Sequence, residues 1–372
     1  MKIAMFGQKR IPSREGGVEI VVEELSTRMA AAGHEVTCYN RHGHHVSGSE
    51  YDTKEKKEYK KVRIKSVPTI EKKGLAAVSS SFFAALCSAF GGYDVVHIHA
   101  EGPAAFCFIP KIFRKKVIVT VHGLDWQREK WKAGFGSKYI HFGEKMAVKY
   151  ADEIIVLSSE VKKYFKDTYG RKTRYIPNGV TRPEKIEADI IEKKFDLKKD
   201  SYILYLGRIV PEKGEHYLIE AFKDIETNKK LVIAGGTSDT DEYMDKLKQM
   251  AEQDDRIVFT GFVQGQLLQE LYSNAYVYVL PSDLEGMPLS LLEAMSYGNC
   301  CLTSDIKECT EVVGNKAVAF KKSDVKDLQD KLQKLCANSK LVDNYKDQAA
   351  DYICKKYDWN EIVDKTLQLY RR

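Results

Sequence analysis

Short apolar runs recur through this chain, each closed by a polar or glycine-bearing turn and separated by room for about one helix. KIAMF opens the sequence, and HEVTCY, DVVHIHA, KVIVTVHG and EIIVLSS follow before residue 160. Runs so rich in β-branched residues suit strands buried on both faces, as in parallel sheets with helical crossovers. Between the first two, VEIVVEELSTRMAAAG sets Val18, Val21, Val22, Leu25 and Met29 on one helical stripe that ends at Gly33.

The alternation pauses at RYIPNGVTRPE (174–184), where Pro, Asn, Gly and Pro fall close together and read as a linker. It restarts with SYILYLGRI, a helix through HYLIEAF, LVIAGG, a helix near 241–253, RIVFTGFV and a helix near 265–273. YVYVLPS and NCCLTSD follow, and YDWNEIVDKTLQLYRR reads as a closing helix. A length of 372 residues holds two cores of about 150–200 residues each. The expectation is two α/β domains in tandem, 1–177 and 178–356, with the helix of about 357–372 packing back on the first.

Charge divides the same way. Residues 1–177 contain 31 Lys+Arg against 19 Asp+Glu, a balance of +12, and the remainder 28 against 34, a balance of −6. Opposite signs suit two domains with different partners better than one nucleic-acid surface, and no aromatic-interleaved basic motif is present, so no nucleic-acid partner is expected. The eight cysteines show no CxxC spacing and read as reduced thiols of a cytoplasmic protein, and KIAMFG reads as a strand rather than a leader. The histidines of RHGHH (42–45) and HIH (97–99) lack a Cys pair or helical spacing, so no metal site is expected.

Twenty uncharged residues, GLAAVSSSFFAALCSAFGGY, lie between Lys73 and Asp94. Serines and glycines dilute them as a membrane span, and Leu75, Val78, Phe82, Leu86 and Phe90 share one helical face. A buried amphipathic helix is expected, with a membrane-surface helix as the alternative. The densest basic run is Lys54, Lys56, Lys57, Lys60, Lys61, Arg63 and Lys65, a candidate for anionic lipid or a solvated hairpin.

Strand-to-helix turns at the carboxyl edge of such sheets bind ligands, and several here carry matching chemistry. LGRIVPEKGEH places Arg208 at a strand end and Lys213 five residues later, before Gly214; a guanidinium fork and an ammonium on one loop suit a diphosphate. In PSDLEGMPLSLLEAMSYG, Glu285 precedes the step Gly286, Met287, Pro288, Leu289 that enters a helix, and Glu293 lies further along it. With Pro288 at or near the first turn, the N–H groups around Met287 to Ser290 and the helix dipole favour an anion. Carboxylates on either side of an anion site fit an extended ligand with hydroxyls at both ends and phosphate between, the layout of a nucleoside diphosphate sugar. QKRIPSREGGVE ends in Gly16 and Gly17 at a helix start, without the GxGxxG dinucleotide fingerprint. TVHGLDWQREKW presents His122 and Asp125 just after a strand, as candidates for a polar site.

Over nearly its whole length the chain resembles the family-4 retaining glycosyltransferases of GT-B fold. The most specific element is the E-x7-E pattern from Glu285 to Glu293, supported by GRIVPEKG, the Gly-Gly loop, VHG and IPNGV, which contains Asn178. The resemblance implies two Rossmann-like parallel-sheet domains facing across a cleft. It assigns Arg208 and Lys213 to the donor diphosphate, Glu293 to ribose hydroxyls and Glu285 to the transferred sugar. His122 would contact that sugar from the other domain, with Asp125 beside it in the catalytic set. Gly16, Gly17, Asn178 and Gly286 to Leu289 complete the donor-binding set. HGLDWQREKW is similar to the corresponding segment of bacterial polysaccharide rhamnosyltransferases, which points to capsule, exopolysaccharide or O-antigen assembly.

The resulting expectation is hexosyl or deoxyhexosyl transfer with retention, from a UDP-, GDP- or dTDP-linked donor, with no metal and no cofactor. The acceptor would be a glycan or a lipid-diphosphate-linked glycan, met in the cytoplasm or peripherally at the anionic inner membrane face. A sugar-nucleotide epimerase or a phosphorylase with a similar cleft is an alternative, as is a non-catalytic subunit of a polysaccharide synthase. Against the last, a silent subunit has no chemical need for all of Arg208, Lys213, Glu285 and Glu293.

Overall fold

Each apolar run of the first half becomes a strand of one sheet. The computed structural model describes residues 1–43, 57–72, 74–127, 135–237 and 240–371. The strands are β1 (Lys2–Phe6), β2 (Glu35–Arg41), β3 (Glu58–Tyr59), β4 (Val62–Val67), β5 (Val95–His99), β6 (Lys116–Val121), β7 (Glu153–Val156) and β8 (Arg174–Tyr175). They lie in the order β3-β4-β2-β1-β5-β6-β7-β8, all parallel except the β3–β4 hairpin. Helices α1 (Gly17–Ala31), α2 (Leu75–Phe90), α3 (Glu101–Ala104), α4 (Phe108–Ile112), α5 (Phe135–Tyr150) and α6 (Ser159–Tyr169) connect them. β1 and β5 are neighbours although three strands separate them in sequence, so the winding reverses there and the loops after these two strands diverge.

The second sheet repeats the scheme with β9 (Tyr202–Leu206), β10 (Lys230–Ala234), β11 (Ile257–Gly261), β12 (Val277–Leu280), β13 (Cys300–Ser304) and β14 (Val318–Phe320). Its order, β11-β10-β9-β12-β13-β14, is the doubly wound arrangement with the reversal between β9 and β12. The helices are α7 (Ile190–Phe195), α8 (Glu215–Lys223), α9 (Asp241–Ala251), α10 (Gly265–Asn274), α11 (Leu289–Ser296), α12 (Lys307–Val313), α13 (Val325–Cys336) and α14 (Ser339–Lys356). The last, α15 (Trp359–Arg371), belongs to the first unit, which comprises Met1–Asn178 and Trp359–Arg372; the second is Gly179–Asp358. Asn178 thus closes the first unit instead of opening the second. Entry to and exit from the second unit are tied together, because the Val180 N–H donates to the Tyr357 carbonyl at 2.8 Å. α15 packs on α1, and the Tyr370 hydroxyl lies 2.6 Å from Nδ1 of His97.

Helix α2 lies the other way round from the expectation. Ser80, Ser81, Ala84, Ala85, Ser88 and Ala89 are its buried side, whereas Leu75, Phe82 and Phe90 are exposed, Phe90 to 72%. Small side chains let the helix axis approach its neighbours, and Ser80, Ser81 and Ser88 satisfy their hydroxyls on carbonyls of their own helix, so burying them leaves no polar group unmet. The large rings pack sideways instead: Phe82 on Phe106 at 5.5 Å between centroids, and Phe90 on Phe113 at 4.6 Å. No helix among the described residues is long and apolar enough to cross a membrane. Of the basic run, Lys54 and Lys56 lie outside the described residues, as do His44 and His45. Arg63 and Lys65 are on β4, where exposed positions alternate with buried Val62 and Ile64.

Candidate active site

The reversal between β9 and β12 brings together two loops that lie about seventy residues apart in sequence. After β9 the chain runs through Gly207 and Arg208 into a short turn of helix, Pro211–Lys213, and then into α8. After β12 it runs through Pro281 to Pro288 into α11. Gly214 joins turn to helix at φ 74, and a Cβ there would stand 2.2 Å from the Pro281 carbonyl oxygen. A side chain is excluded by both backbone conformation and contact. The Asp283 N–H donates to the Glu212 carbonyl at 2.9 Å, which straps the two loops together.

That strap sets Lys213 against Glu285. Lys213 Nζ donates to Glu285 Oε1 at 2.5 Å, and the Ser282 hydroxyl donates to the same oxygen at 2.7 Å. The two side chains are 16% and 6% exposed, so the pair is largely shielded from water. Arg208, half-buried, lies on the loop between β9 and the turn; its carbonyl accepts the Tyr205 hydroxyl at 3.0 Å. Pro288 is the residue immediately before α11 rather than inside its first turn, and its carbonyl accepts the N–H groups of Leu291 and Leu292. The first N–H groups of the helix, from Leu289 and Ser290, have no intrahelical acceptor by construction. Met287 is buried and Gly286 partly exposed. Glu293, half-buried on α11, accepts from the Tyr272 hydroxyl at 3.3 Å, and Tyr272 stacks on Tyr297 at 5.2 Å.

Sequence reasoning missed a third carboxyl at this edge. Glu215, in the first turn of α8, is fully buried and accepts from the hydroxyls of Tyr205 at 2.7 Å and Tyr243 at 3.1 Å. Burial pushes its carboxyl up to about 7, although both tyrosines and nearby Lys213 favour the charged form. Its position right after EKG was visible, but nothing in a single acid announces burial.

The first unit holds its own polar group at the carboxyl ends of β5 and β6. His122 Nε2 lies 3.1 Å from Nδ1 of His99, and the Asp125 N–H donates to Glu101 Oε2 at 2.8 Å. Burial and its imidazole neighbours keep His99 well below the ordinary histidine range; His97 is held to about 3, first by burial and then by the charge of His122. The HIH histidines are therefore neutral structural groups, His97 also lying 2.7 Å from the Thr120 hydroxyl. Gly16 precedes α1 in an extended conformation, and a Cβ there would meet the carboxylate end of the Glu19 side chain, Oε2 at 2.5 Å. Gly17 begins the helix and is exposed. Asn178 is buried at the end of the first unit. Arg128 to Trp131 of HGLDWQREKW lie outside the described residues. Among the described residues no three His, Cys, Asp or Glu side chains are arranged to hold a metal.

The profile of the group 1 glycosyl transferases matches residues 187–369, and that of Glycosyltransferase Family 4 matches residues 15–182. Each profile covers one half, and the chain belongs to the family-4 glycosyltransferases of GT-B fold. An uncharacterised glycosyltransferase of Methanocaldococcus jannaschii is 25% identical, aligned over 100% of this chain and 98% of its own. A UDP-Gal:alpha-D-GlcNAc-diphosphoundecaprenol alpha-1,3-galactosyltransferase of Escherichia coli is 31% identical over 61% of this chain and 62% of its own. The structure of Anabaena HepE in complex with UDP-glucose superposes with a TM-score of 0.80 at 16% identity, over 99% of both chains, a likeness of fold.

Proposed function

We propose that this glycosyltransferase moves a hexosyl or deoxyhexosyl group from a nucleoside diphosphate sugar to a glycan or lipid-diphosphate-linked glycan, with retention, in bacterial surface polysaccharide assembly. The observation that carries the proposal is the shielded Lys213–Glu285 pair at the winding reversal of the second sheet. It sets a cation for phosphate beside a carboxylate for sugar hydroxyls, with Arg208 on one loop and the N-terminus of α11 on the other. The E. coli relative is named for a UDP-sugar donor and a diphosphate-linked acceptor, and the Anabaena structure contains UDP-glucose, which supports the same donor class here.

Roles follow from the chemistry and the family resemblance. Arg208, Lys213 and the first N–H groups of α11, preceded by Gly286 to Pro288, neutralise the departing diphosphate, so the proposal uses neither metal nor cofactor. The bond from the anomeric carbon to phosphate oxygen breaks, the acceptor oxygen bonds on the same face, and its proton passes to the departing phosphate oxygen. Glu285 positions the transferred sugar and Glu293 the ribose. His122 and Asp125 act on the sugar, and Gly16, Gly17 and Asn178 belong to the donor-binding set. Association with a lipid acceptor is supported by a further asymmetry. The large apolar side chains that stand exposed among the described residues are all in the first unit, among them Leu75, Phe82, Phe90, Ile112 and Phe113. Residues 1–177 of that unit also carry the +12 charge, which favours the anionic inner membrane face.

A thermal-shift series with UDP-, GDP- and dTDP-sugars tests the donor class: a ligand at a hundred times its Kd stabilises by about 2.7 kcal/mol. The stabilising donor is then turned over with acceptor and the anomeric configuration of the product read by NMR. Stabilisation by none of the donors, or an inverted product, would refute the proposal. An epimerase would instead convert the donor without acceptor, and a phosphorylase would require a sugar phosphate.

A further inference from the structure

The loop that bears His122 and Asp125 is anchored on a pair of buried acids that the reaction as proposed does not use. Glu101 opens α3 directly after β5, and Glu144 lies on α5; both are fully buried. The two helices touch at this point, because a Cβ on Gly143 would stand 1.9 Å from the Glu101 carbonyl oxygen. Glu144 directly follows Gly143, so this close approach sets the two acids beside each other, and Glu144 is among the groups that raise the Glu101 carboxyl. Glu101 Oε2 accepts the Asp125 N–H at 2.8 Å, and Glu144 Oε1 accepts the Tyr164 hydroxyl at 2.8 Å. One oxygen of each acid, Glu101 Oε1 and Glu144 Oε2, has no donor among the described residues.

Two buried acids side by side without a proton would be repulsive, and each would bear the cost of an unmet buried polar atom. We propose that Glu101 and Glu144 hold one proton between Glu101 Oε1 and Glu144 Oε2, and that this acid–carboxylate bridge positions the His122–Asp125 loop for sugar transfer. The proton satisfies both orphan oxygens at once. It completes a chain from the Asp125 N–H through Glu101 and Glu144 to the Tyr164 hydroxyl on α6, tying the loop to three helices. Burial, reinforced by the charges of Asp125 and Glu144, pushes the Glu101 carboxyl well above the ordinary range, in the same direction.

The surrounding groups agree with a single shared proton. Tyr164 and Tyr169 of α6 both act on Glu144, and burial raises both phenols, so they remain donors. From α5, Tyr139 donates to the Gly102 carbonyl at 2.9 Å and His141 lies against the Trp126 ring. β5 contributes the neutral His97 and His99, β6 the half-buried Lys116 at its opposite end, and α2 the exposed Cys87. The charges that act most strongly on Glu101 are those of the acids Asp125 and Glu144.

The decisive variant is Glu144→Gln. Its amide donates to an ionised Glu101 where the proton stood, its carbonyl still accepts from Tyr164, and the pair keeps its single negative charge. Buried Glu215 also carries a proton near neutral pH, so infrared spectra are taken in a Glu215→Gln background. There the shared proton should appear as a protonated-carboxyl C=O stretch at neutral pH, lost at alkaline pH and absent when Glu144→Gln is added. In kinetics, Glu144→Gln should keep activity close to wild type but lose the alkaline limb of kcat/KM caused by deprotonation of the bridge. Glu144→Ala should lower kcat/KM by about 10- to 100-fold, the effect of losing a charge-assisted hydrogen bond. Circular dichroism checks folding; where Glu144→Ala fails to fold, the Gln variant and the spectra still decide. The bridge is refuted if the Glu215→Gln protein shows no carboxyl band that Glu144→Gln removes; the positioning role is refuted if Glu144→Gln retains the wild-type alkaline limb or folds but is as impaired as Glu144→Ala. The loop role rests on the proposed part of His122 and Asp125 in transfer. The infrared arm does not, so a present band with unchanged kinetics would sink the positioning role alone.

Discussion

Replacing Lys213 by alanine separates what the lysine does for the fold from what it does for the reaction. In the free protein it neutralises Glu285, which is 6% exposed and keeps the Ser282 hydroxyl as its other donor. Breaking a buried pair by removing one partner costs about 3–5 kcal/mol. Residual exposure of the lysine, 16%, and the surviving Ser282 bond place the expected loss at or below about 3 kcal/mol. For a unit the size of Gly179–Asp358 that is a fall in Tm of about 6–12 °C. In the role proposed for Lys213, loss of the cation also removes a charge-assisted hydrogen bond to the departing diphosphate, so kcat/KM should fall by about 10- to 100-fold. Adding Glu285→Gln to Lys213→Ala removes the stranded charge and should restore most of the Tm while leaving activity low. The assay is thermal unfolding beside steady-state transfer kinetics for both variants. Wild-type kinetics in a folded Lys213→Ala protein would overturn the diphosphate role, and a double variant no more stable than the single would show that the ion pair is not what the lysine contributes.

Calorimetry should distinguish the two glutamates: Glu293→Gln weakens both the free nucleoside diphosphate and the sugar nucleotide, whereas Glu285→Gln weakens only the latter. Equal losses for both ligands in both variants would mean the roles are wrongly divided. Glu215 makes stability depend on pH: its folded value, about 7, is above that of the unfolded chain, so its contribution is complete below about pH 4.5 and is lost as pH rises through 7. Denaturant titrations should show roughly 3 kcal/mol less of this contribution at pH 8 than at pH 4, and Glu215→Gln should flatten that slope. Sedimentation with anionic vesicles should pull down the wild-type protein in a salt-sensitive manner, and Phe90→Asp with Phe113→Asp should abolish it. A wild-type protein that stays in the supernatant with both anionic and neutral vesicles would remove the membrane proposal.

Strands were the most legible part of this molecule, because burial on both faces demands unbroken apolar runs such as Val277–Leu280. Helices α13 and α14 were not, since their sparse apolar positions, Leu328, Leu332 and Leu335 in one and Val342, Ala349 and Ile353 in the other, are scattered among charges. Helix α2 misled for the opposite reason: a conspicuous apolar stripe was assigned to the inside, while small residues did the close packing. At the site, residue types at strand ends suggested Arg208, Lys213, Glu285 and Glu293, but the contact of Lys213 with Glu285 depends on β9 lying beside β12. Glu101 and Glu144 gave no signal at all, because the partner of each is fixed by helix packing 43 residues away in sequence.

The last helix of the chain has a bearing on how the protein is made. α15 belongs to the first unit, and the hydroxyl that meets buried His97 comes from Tyr370, 273 residues later. On a ribosome, the amino-terminal sheet therefore emerges long before the piece that covers this part of it. At about 5–20 residues per second, the stretch from residue 179 onward takes roughly 10–40 s to synthesise. The second unit is complete once Asp358 has been added, while the first still waits for α15 with an open seam along α1 and β5. Released chains truncated just short of Trp359 should accordingly be cut by protease in the first unit and resist it in the second.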